Sequence, residues 1–228
     1  SLDIVCDFVE GEHDFWPLLG YVVGLRAGSR IPFVKLEASP SNDDLKAFAA
    51  AFGTTSGAPL FHAPWTPRIG LIERPRPSKM LSEDDLATAW ADLCAGEGDV
   101  DLVALGSPHL SLCELEALAS HVADKRKHDA VRVVATLGGA TRRKASSDAL
   151  QALDAFGVEL VEDTCWCMLT EPVVPPFDGA LALTDSAKYA HYAPGLVGRR
   201  PRLTSMKSCV ASAVSGRFTS RRPAWLQS

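Results

Sequence analysis

From residue 82 onward the chain alternates between two hydrophobic periods. Ser82-Glu83-Asp84-Asp85 reads as a helix start, with Ser82 as cap and acids in the first turn, where the helix dipole favours them. Leu86, Ala89, Trp90 and Leu93 follow at helical spacing, and Gly96 and Gly98 stop the helix. Val100 to Leu105 is then an apolar run closed by Gly106, which predicts a short buried strand. The same succession recurs with Ser111 to Val122 as helix and Val131 to Leu137 as strand, closed by Gly138-Gly139. It recurs once more with Ser147 to Phe156 as helix, Gly157 as stop, and Val158 to Val161 as strand. Helices alternating with near-continuous apolar strands predict an α/β fold, a mostly parallel sheet with helices on both faces.

Ahead of residue 80 the pattern is less regular. Asn42 or Asp43 begins a helix that runs to about Phe52, and Ala58 to Ala63 is strand-like. Asp14 to Gly24 is mostly apolar and reads as packing, with Tyr21 a candidate pocket wall. Glu73 to Ser78 has the proline content of a linker. Two lobes are expected, residues 1–78 as part of an N-terminal α/β lobe and residues 79–228 as a C-terminal α/β lobe.

Hydrophobic content of 46% and charge of 22% allow a sizeable core. No apolar run approaches the roughly 20 residues that span a bilayer, so no membrane role is expected. The chain begins at Ser1 instead of Met and carries no basic-then-apolar leader. Its six cysteines are scattered, which predicts reduced thiols in a cytoplasmic setting. The net charge of -5 conceals an asymmetry: residues 186–228 hold 8 of the 23 basic groups and none of the 28 acids. Such a stretch could face an anionic ligand or an acidic partner. Stacking aromatics are not interleaved with it, so nucleic acid is not expected.

Ligand sites of parallel sheets lie beyond the carboxyl ends of the strands. Gly106-Ser107-Pro108-His109, Gly138-Gly139, Asp163-Thr164-Cys165 and Thr184-Asp185-Ser186 are predicted to meet there. His109 could bind a carboxylate or transfer a proton, or simply be a solvated loop residue. Gly138-Gly139 could cradle an anion. Cys165 and Cys167 are spaced wrongly for a zinc knuckle or a thioredoxin-type pair. A thiolate there could ligate an iron–sulfur cluster, but the local sequence favours two buried cysteines flanking Trp166. Thr184 to Gly195 gathers hydroxyls, an amine, two phenols and an imidazole among small residues. Ser186 has no adjacent histidine base, and no G-x-S-x-G elbow is present, which argues against a hydrolase triad. Lys188 could serve as an acid/base, and Ser186 as an alkoxide-like base would need N–H support from a helix start.

In this order, Phe15 to Gly24, Leu60-Phe61-His62 with Thr66-Pro67, Gly106 to Leu112, Asp163 to Met168 and Thr184 to Gly195 resemble the large catalytic subunit of the aconitase X family. The resemblance implies an aconitase-like three-layer α/β/α fold and a dehydratase, a hydro-lyase eliminating water from a small hydroxy acid. Bacterial members are similar to cis-3-hydroxy-L-proline dehydratases, and archaeal ones act on a phosphorylated mevalonate. It further implies an iron–sulfur cluster or iron held by cysteines, with Cys165 as one metal ligand. By the same resemblance Ser186 and Lys188 are catalytic, and Tyr189 and His191 line the substrate pocket with His109. Two departures stand out. Asp185 replaces the usual Asn, and family large subunits are considerably longer. This chain is therefore expected to be a carboxyl-terminal portion, inactive without an N-terminal half and a small swivelling subunit or domain. The alternatives are a non-catalytic α/β partner subunit and a cysteine-dependent redox protein using Cys165 and Cys167.

Overall fold

The computed structural model describes residues 2–6, 15–36, 40–58, 60–64 and 77–226. Asp14, Thr66, Pro67 and residues 73–76 of the expected linker lie outside them. The chain forms two units, Ser1–Asp92 with Arg222–Ser228, and Leu93–Arg221. The division therefore falls between residues 92 and 93, whereas residue 78 lies within a strand, Pro77–Leu81.

In the first unit, β1 (Leu2–Cys6) runs between β2 (Pro32–Lys35) and β3 (Pro77–Leu81), parallel to both. Helix α1 (Phe15–Ala27) is buried on almost every side, so its sequence carries no polar face. It packs on α2 (Asn42–Thr55), whose first turn is closed by a reciprocal box between Ser41 and Asp44. Gly20 and Gly24 permit this approach. A Cβ on Gly20 would strike the Phe48 backbone, and one on Gly24 would lie 2.7 Å from the Phe52 carbonyl oxygen. Phe48 then centres an aromatic cluster, with Trp16 and Phe52 each at 6.3 Å and Phe61 at 4.9 Å between ring centroids. Helix α3 (Glu83–Leu93) begins as expected, with Ser82 and Asp85 exchanging hydrogen bonds. The strand expected over 58–63 is reduced to one bridge between Phe33 and His62, because the Ser56 hydroxyl holds Ala58 in a turn.

The second unit is the doubly covered sheet. Its strands are β4 (Glu97–Leu110), β5 (Arg132–Leu137), β6 (Val158–Glu162), β7 (Leu181–Thr184) and β8 (Arg202–Leu203), ordered β6-β5-β4-β7-β8 and parallel. A final strand, β9 (Arg217–Thr219), pairs antiparallel with the first residues of β4, which makes β4 longer than its apolar run. Helices α4 (Leu112–Val122), α6 (Ser147–Phe156) and α8 (Met206–Ser215) bury Leu115, Leu118, Leu153, Phe156 and Val210 on one face. On the other face lie α7 (Ala187–Val197) and the irregular stretch that follows β6. There Trp166, Leu169, Val174, Tyr189 and Ala193 cover Leu102, Ala104, Val134 and Ala182. A short helix, α5 (Gly139–Lys144), caps the end of β5. The architecture is three-layer α/β/α, as the alternation of periods predicts. Among the described residues no helix is long and apolar enough to cross a membrane.

Packing at Gly20 is a measurable constraint. Gly20→Val forces α1 away from α2 and should cost about 2 kcal/mol, as overpacking in a close-packed interior does. Urea unfolding checks this, and an unchanged midpoint would contradict the contact.

Candidate active site

The expected loops do converge. β4 leaves regular pairing at Gly106, which has φ +86, and the Cβ-less backbone there is pressed against the Thr136 carbonyl. The chain then passes a cis Ser107-Pro108 bond before His109. Three successive carbonyl oxygens at this strand end accept side-chain hydrogen bonds from elsewhere. The Trp166 indole donates to Leu105 at 2.6 Å, the Thr136 hydroxyl to Gly106 at 2.5 Å, and the Ser186 hydroxyl to Ser107. His109 reaches sideways, its Nε2 donating to the Thr164 carbonyl at 2.9 Å, one residue before Cys165.

Ser186 caps α7. Its oxygen accepts from the Tyr189 N–H at 3.1 Å, while its own N–H donates to the Thr184 hydroxyl. It thus sits at the positive end of an eleven-residue helix and is almost fully buried. The Ser107 hydroxyl, 5% exposed at residue level, has no hydrogen-bond partner among the described residues. A buried donor in that condition is a group poised to meet something else.

The Cys165–Cys167 turn differs from the reading that buries both thiols. Trp166 is the buried residue, Cys165 is exposed and Cys167 is partly buried within a 3-10 turn (Trp166–Met168). Trp166 is drawn inward by its hydrogen bond to β4 and by the Tyr189 ring, 4.8 Å away. Burial pushes the Cys167 thiol up, and a hydrogen bond and charge from Cys165 push it further. The Lys188 ammonium pulls it the other way, so Lys188, Cys165 and Cys167 share one neighbourhood.

Of the remaining candidates, Tyr189 packs beneath this cluster, whereas His191 and Asp185 face elsewhere. Tyr189 is 1% exposed, and its phenol finds no hydrogen-bond partner among the described residues. Burial drives its pKa up to about 12, with Arg199 opposing and Cys167 adding to the shift. It forms the floor beneath Trp166. His191 is on the exposed side of α7, edge-on to the Tyr192 ring at 5.2 Å. Asp185 is felt by the buried Cys209 thiol of α8, so its charge acts on that side of the sheet. Gly138-Gly139 does cradle an anion, but the anion is internal. The Gly139 N–H donates to the Asp163 carboxylate at 3.0 Å, and a Cβ there would lie 2.9 Å from Glu162. Sequence reasoning passed over the Ser107 carbonyl and the Trp166 anchor. A tryptophan set between two polar-facing cysteines was the available signal for the second.

Cys165 suits a single thiolate contribution to an iron centre, being exposed at the end of β6 with a second thiol and a cation beside it. Among the described residues no group of three or more His, Cys, Asp or Glu is arranged to hold a metal ion.

A parallel sheet covered on both faces, with hydroxyls, thiols, an amine and an imidazole gathered beyond the ends of its strands, defines an α/β/α protein with a candidate site at the carboxyl edge. Residues 2–93 match the profile of the aconitase X second domain and residues 100–215 that of the aconitase X third domain, and the chain belongs to the aconitase X family. Cis-3-hydroxy-L-proline dehydratase of Pseudomonas aeruginosa is 45% identical over 93% of this chain and 38% of that protein. The dehydratase of the same name from Hypocrea jecorina is 43% identical over 95% of this chain and again 38% of its own length. A crystal structure of Thermococcus kodakaraensis aconitase X in the holo form matches 93% of this chain and 55% of its own with a TM-score of 0.79. At 22% identity this is a likeness of fold. The chain thus spans well under half the length of these two curated relatives.

The buried phenol gives a pH signature. In the unfolded chain Tyr189 ionises near its ordinary value of 10, whereas the folded state keeps it neutral to about 12. Between those values the unfolded state binds fewer protons, so stability should fall as pH rises from about 10 to about 12. Tyr189→Phe should flatten that limb in denaturant titrations, and an identical slope in both proteins would exclude Tyr189 as its source.

Proposed function

We propose that the whole protein is a hydro-lyase that removes water from a small hydroxy acid, with cis-3-hydroxy-L-proline as the favoured substrate. The observation that carries this is the joining of Ser186, Ser107, His109 and the cysteine turn at one sheet edge in a chain of this family. The two relatives at 45% and 43% identity, both cis-3-hydroxy-L-proline dehydratases, support the substrate.

In such an elimination the α-proton leaves to a base, the electron pair forms the double bond, and hydroxide departs with a proton as water. An iron or iron–sulfur centre, when bound, supplies Lewis-acid assistance to the departing hydroxide. Cys165 would contribute one ligand to it, and the others come from portions of the protein outside this chain. Ser186 is the candidate base. The α7 N-terminus and the Tyr189 N–H stabilise negative charge on its oxygen, as an oxyanion-type setting requires. Lys188, in the first turn of α7, is the candidate for holding or returning the proton. Ser107, whose hydroxyl has no partner among the described residues, and His109, fixed by Thr164, are the candidates for meeting the substrate carboxylate. Tyr189 acts from beneath as the floor, and His191 at the outer rim. The portions of the protein beyond this chain, including a small swivelling subunit or domain, would close the site, and the isolated chain is expected to show no turnover.

Two substitutions in the whole, anaerobically purified protein test the assignment. Cys165→Ala should remove the iron chromophore and dehydration together, and retention of both would sink the ligand role. Lys188→Met should keep iron and sulfide content while lowering kcat by about 100-fold or more, the usual scale for a lost acid/base. Normal turnover there would exclude an essential proton-transfer role. A whole protein that holds no iron and leaves cis-3-hydroxy-L-proline intact would instead favour a non-catalytic partner subunit.

A further inference from the structure

The connection from β6 to β7 must cross the sheet, because β5 and β4 lie between those strands. Such crossovers are ordinarily helical, since a helix satisfies its own backbone. Here the covering layer after the cysteine turn is a strap, residues 169–180, without a helix or strand of its own. It is nonetheless part of the core: Leu169 and Val174 are buried with Trp166 and Tyr189. Long irregular segments of this kind inside a packed domain are uncommon and tend to be functional.

Two arginines supply what the strap's backbone lacks. Arg132, at the start of β5, is held by Glu159 through Nε at 2.6 Å and Nη2 at 2.5 Å. Its remaining Nη1 donates to the carbonyls of Pro172 and, at 3.1 Å, Val173. Arg199, which follows α7 and is 2% exposed, is held by Asp101 at 2.7 and 2.6 Å. Its two outer nitrogens also donate to the carbonyls of Pro175 at 3.2 Å and Ala180 at 2.9 Å. The arrangement is the same twice over: a bidentate carboxylate fixes the guanidinium, and the fork's free hydrogens clasp strap carbonyls.

We infer that Arg132 and Arg199 are positioning residues for the Cys165–Met168 turn, acting through the strap. Leu169 and Val174 couple the clasped carbonyls to Trp166, and Trp166 is what turns Cys165 outward while Cys167 stays partly covered. The part the turn plays in catalysis rests on the function proposed above, but its positioning does not.

The test is site-resolved alkylation of the thiols in the iron-free full chain, read by peptide mass spectrometry. Arg132→Met lies at a partly exposed pair and should leave the sheet folded. It should raise the Cys167 labelling rate about tenfold, the scale set by loss of charge-assisted hydrogen bonds in a local opening. Cys113, exposed on α4 on the opposite face, is the internal control and should not change. Arg132→Lys, which keeps the charge but not the fork, should restore only part of the protection. Arg199→Lys provides the second variant. Unchanged Cys167 labelling in both Arg132→Met and Arg199→Lys would overturn the inference, as would an equal rise at Cys113. In the whole protein the iron chromophore of Arg132→Met should also change. Faster labelling with an unaltered chromophore would uphold the positioning and overturn the ligand role of Cys165 instead.

Discussion

The carbonyl oxygens of Leu105, Gly106 and Ser107 hold the candidate site together. The ladder between β4 and β5 shifts register after Leu105, so these oxygens leave regular pairing while still inside the protein. Buried carbonyls must find donors. They find them in three different segments, Trp166 after β6, Thr136 on β5 and Ser186 before α7. One strand end thereby sets the cysteine turn, the neighbouring strand and the start of a helix in a single frame. Gly106 is the condition for this, since its positive φ turns the strand and any Cβ would strike Thr136.

That frame explains the division of labour among the polar groups. The Ser186 oxygen is oriented by one bond given and one received, so it is presented in a fixed direction. The imidazole of His109 is tied to the residue before Cys165, which links the histidine loop to the thiol. Asp163 adopts φ 52 and fills the start of α5, so the turn leading to Cys165 is pinned at its base. Polar atoms fixed in this way are preorganised to meet charge at defined positions.

The α/β rhythm between residues 82 and 162 was legible because its signals are local: serine caps, glycine stops and side chains at helical or strand spacing. The meeting of four loops was legible too, since topology alone sends parallel strand ends to one edge. Other parts lay beyond that kind of reading. Helix α7 hides behind Pro194 and small residues, and only Ala187, Tyr189, Ala190 and Ala193 mark its buried face. Helix α1, apolar on all sides, looks like undifferentiated packing until Phe48 is seen against Gly20. The burial of Trp166 in place of the cysteines depends on a carbonyl 61 residues away. Arg132 and Arg199 were equally silent, because their partners are backbone atoms some 40 and 19 residues distant, which no periodicity records.

The placement of β4 also governs the order in which the molecule can be made. Its acids at positions 99 and 101 answer arginines at 217 and 199, and three of its neighbours, β7, β8 and β9, are either paired with it or stacked beyond that pair. All of these are synthesised long after β4 itself. A chain leaving the ribosome can pair β4 with β5 and β6, but the other half of the sheet has to wait for the basic carboxyl-terminal stretch. Until then a long central strand presents one open edge and two unanswered carboxylates. Until residues 181–219 are added, β4 is paired on one side only, and those later residues complete the middle of this sheet.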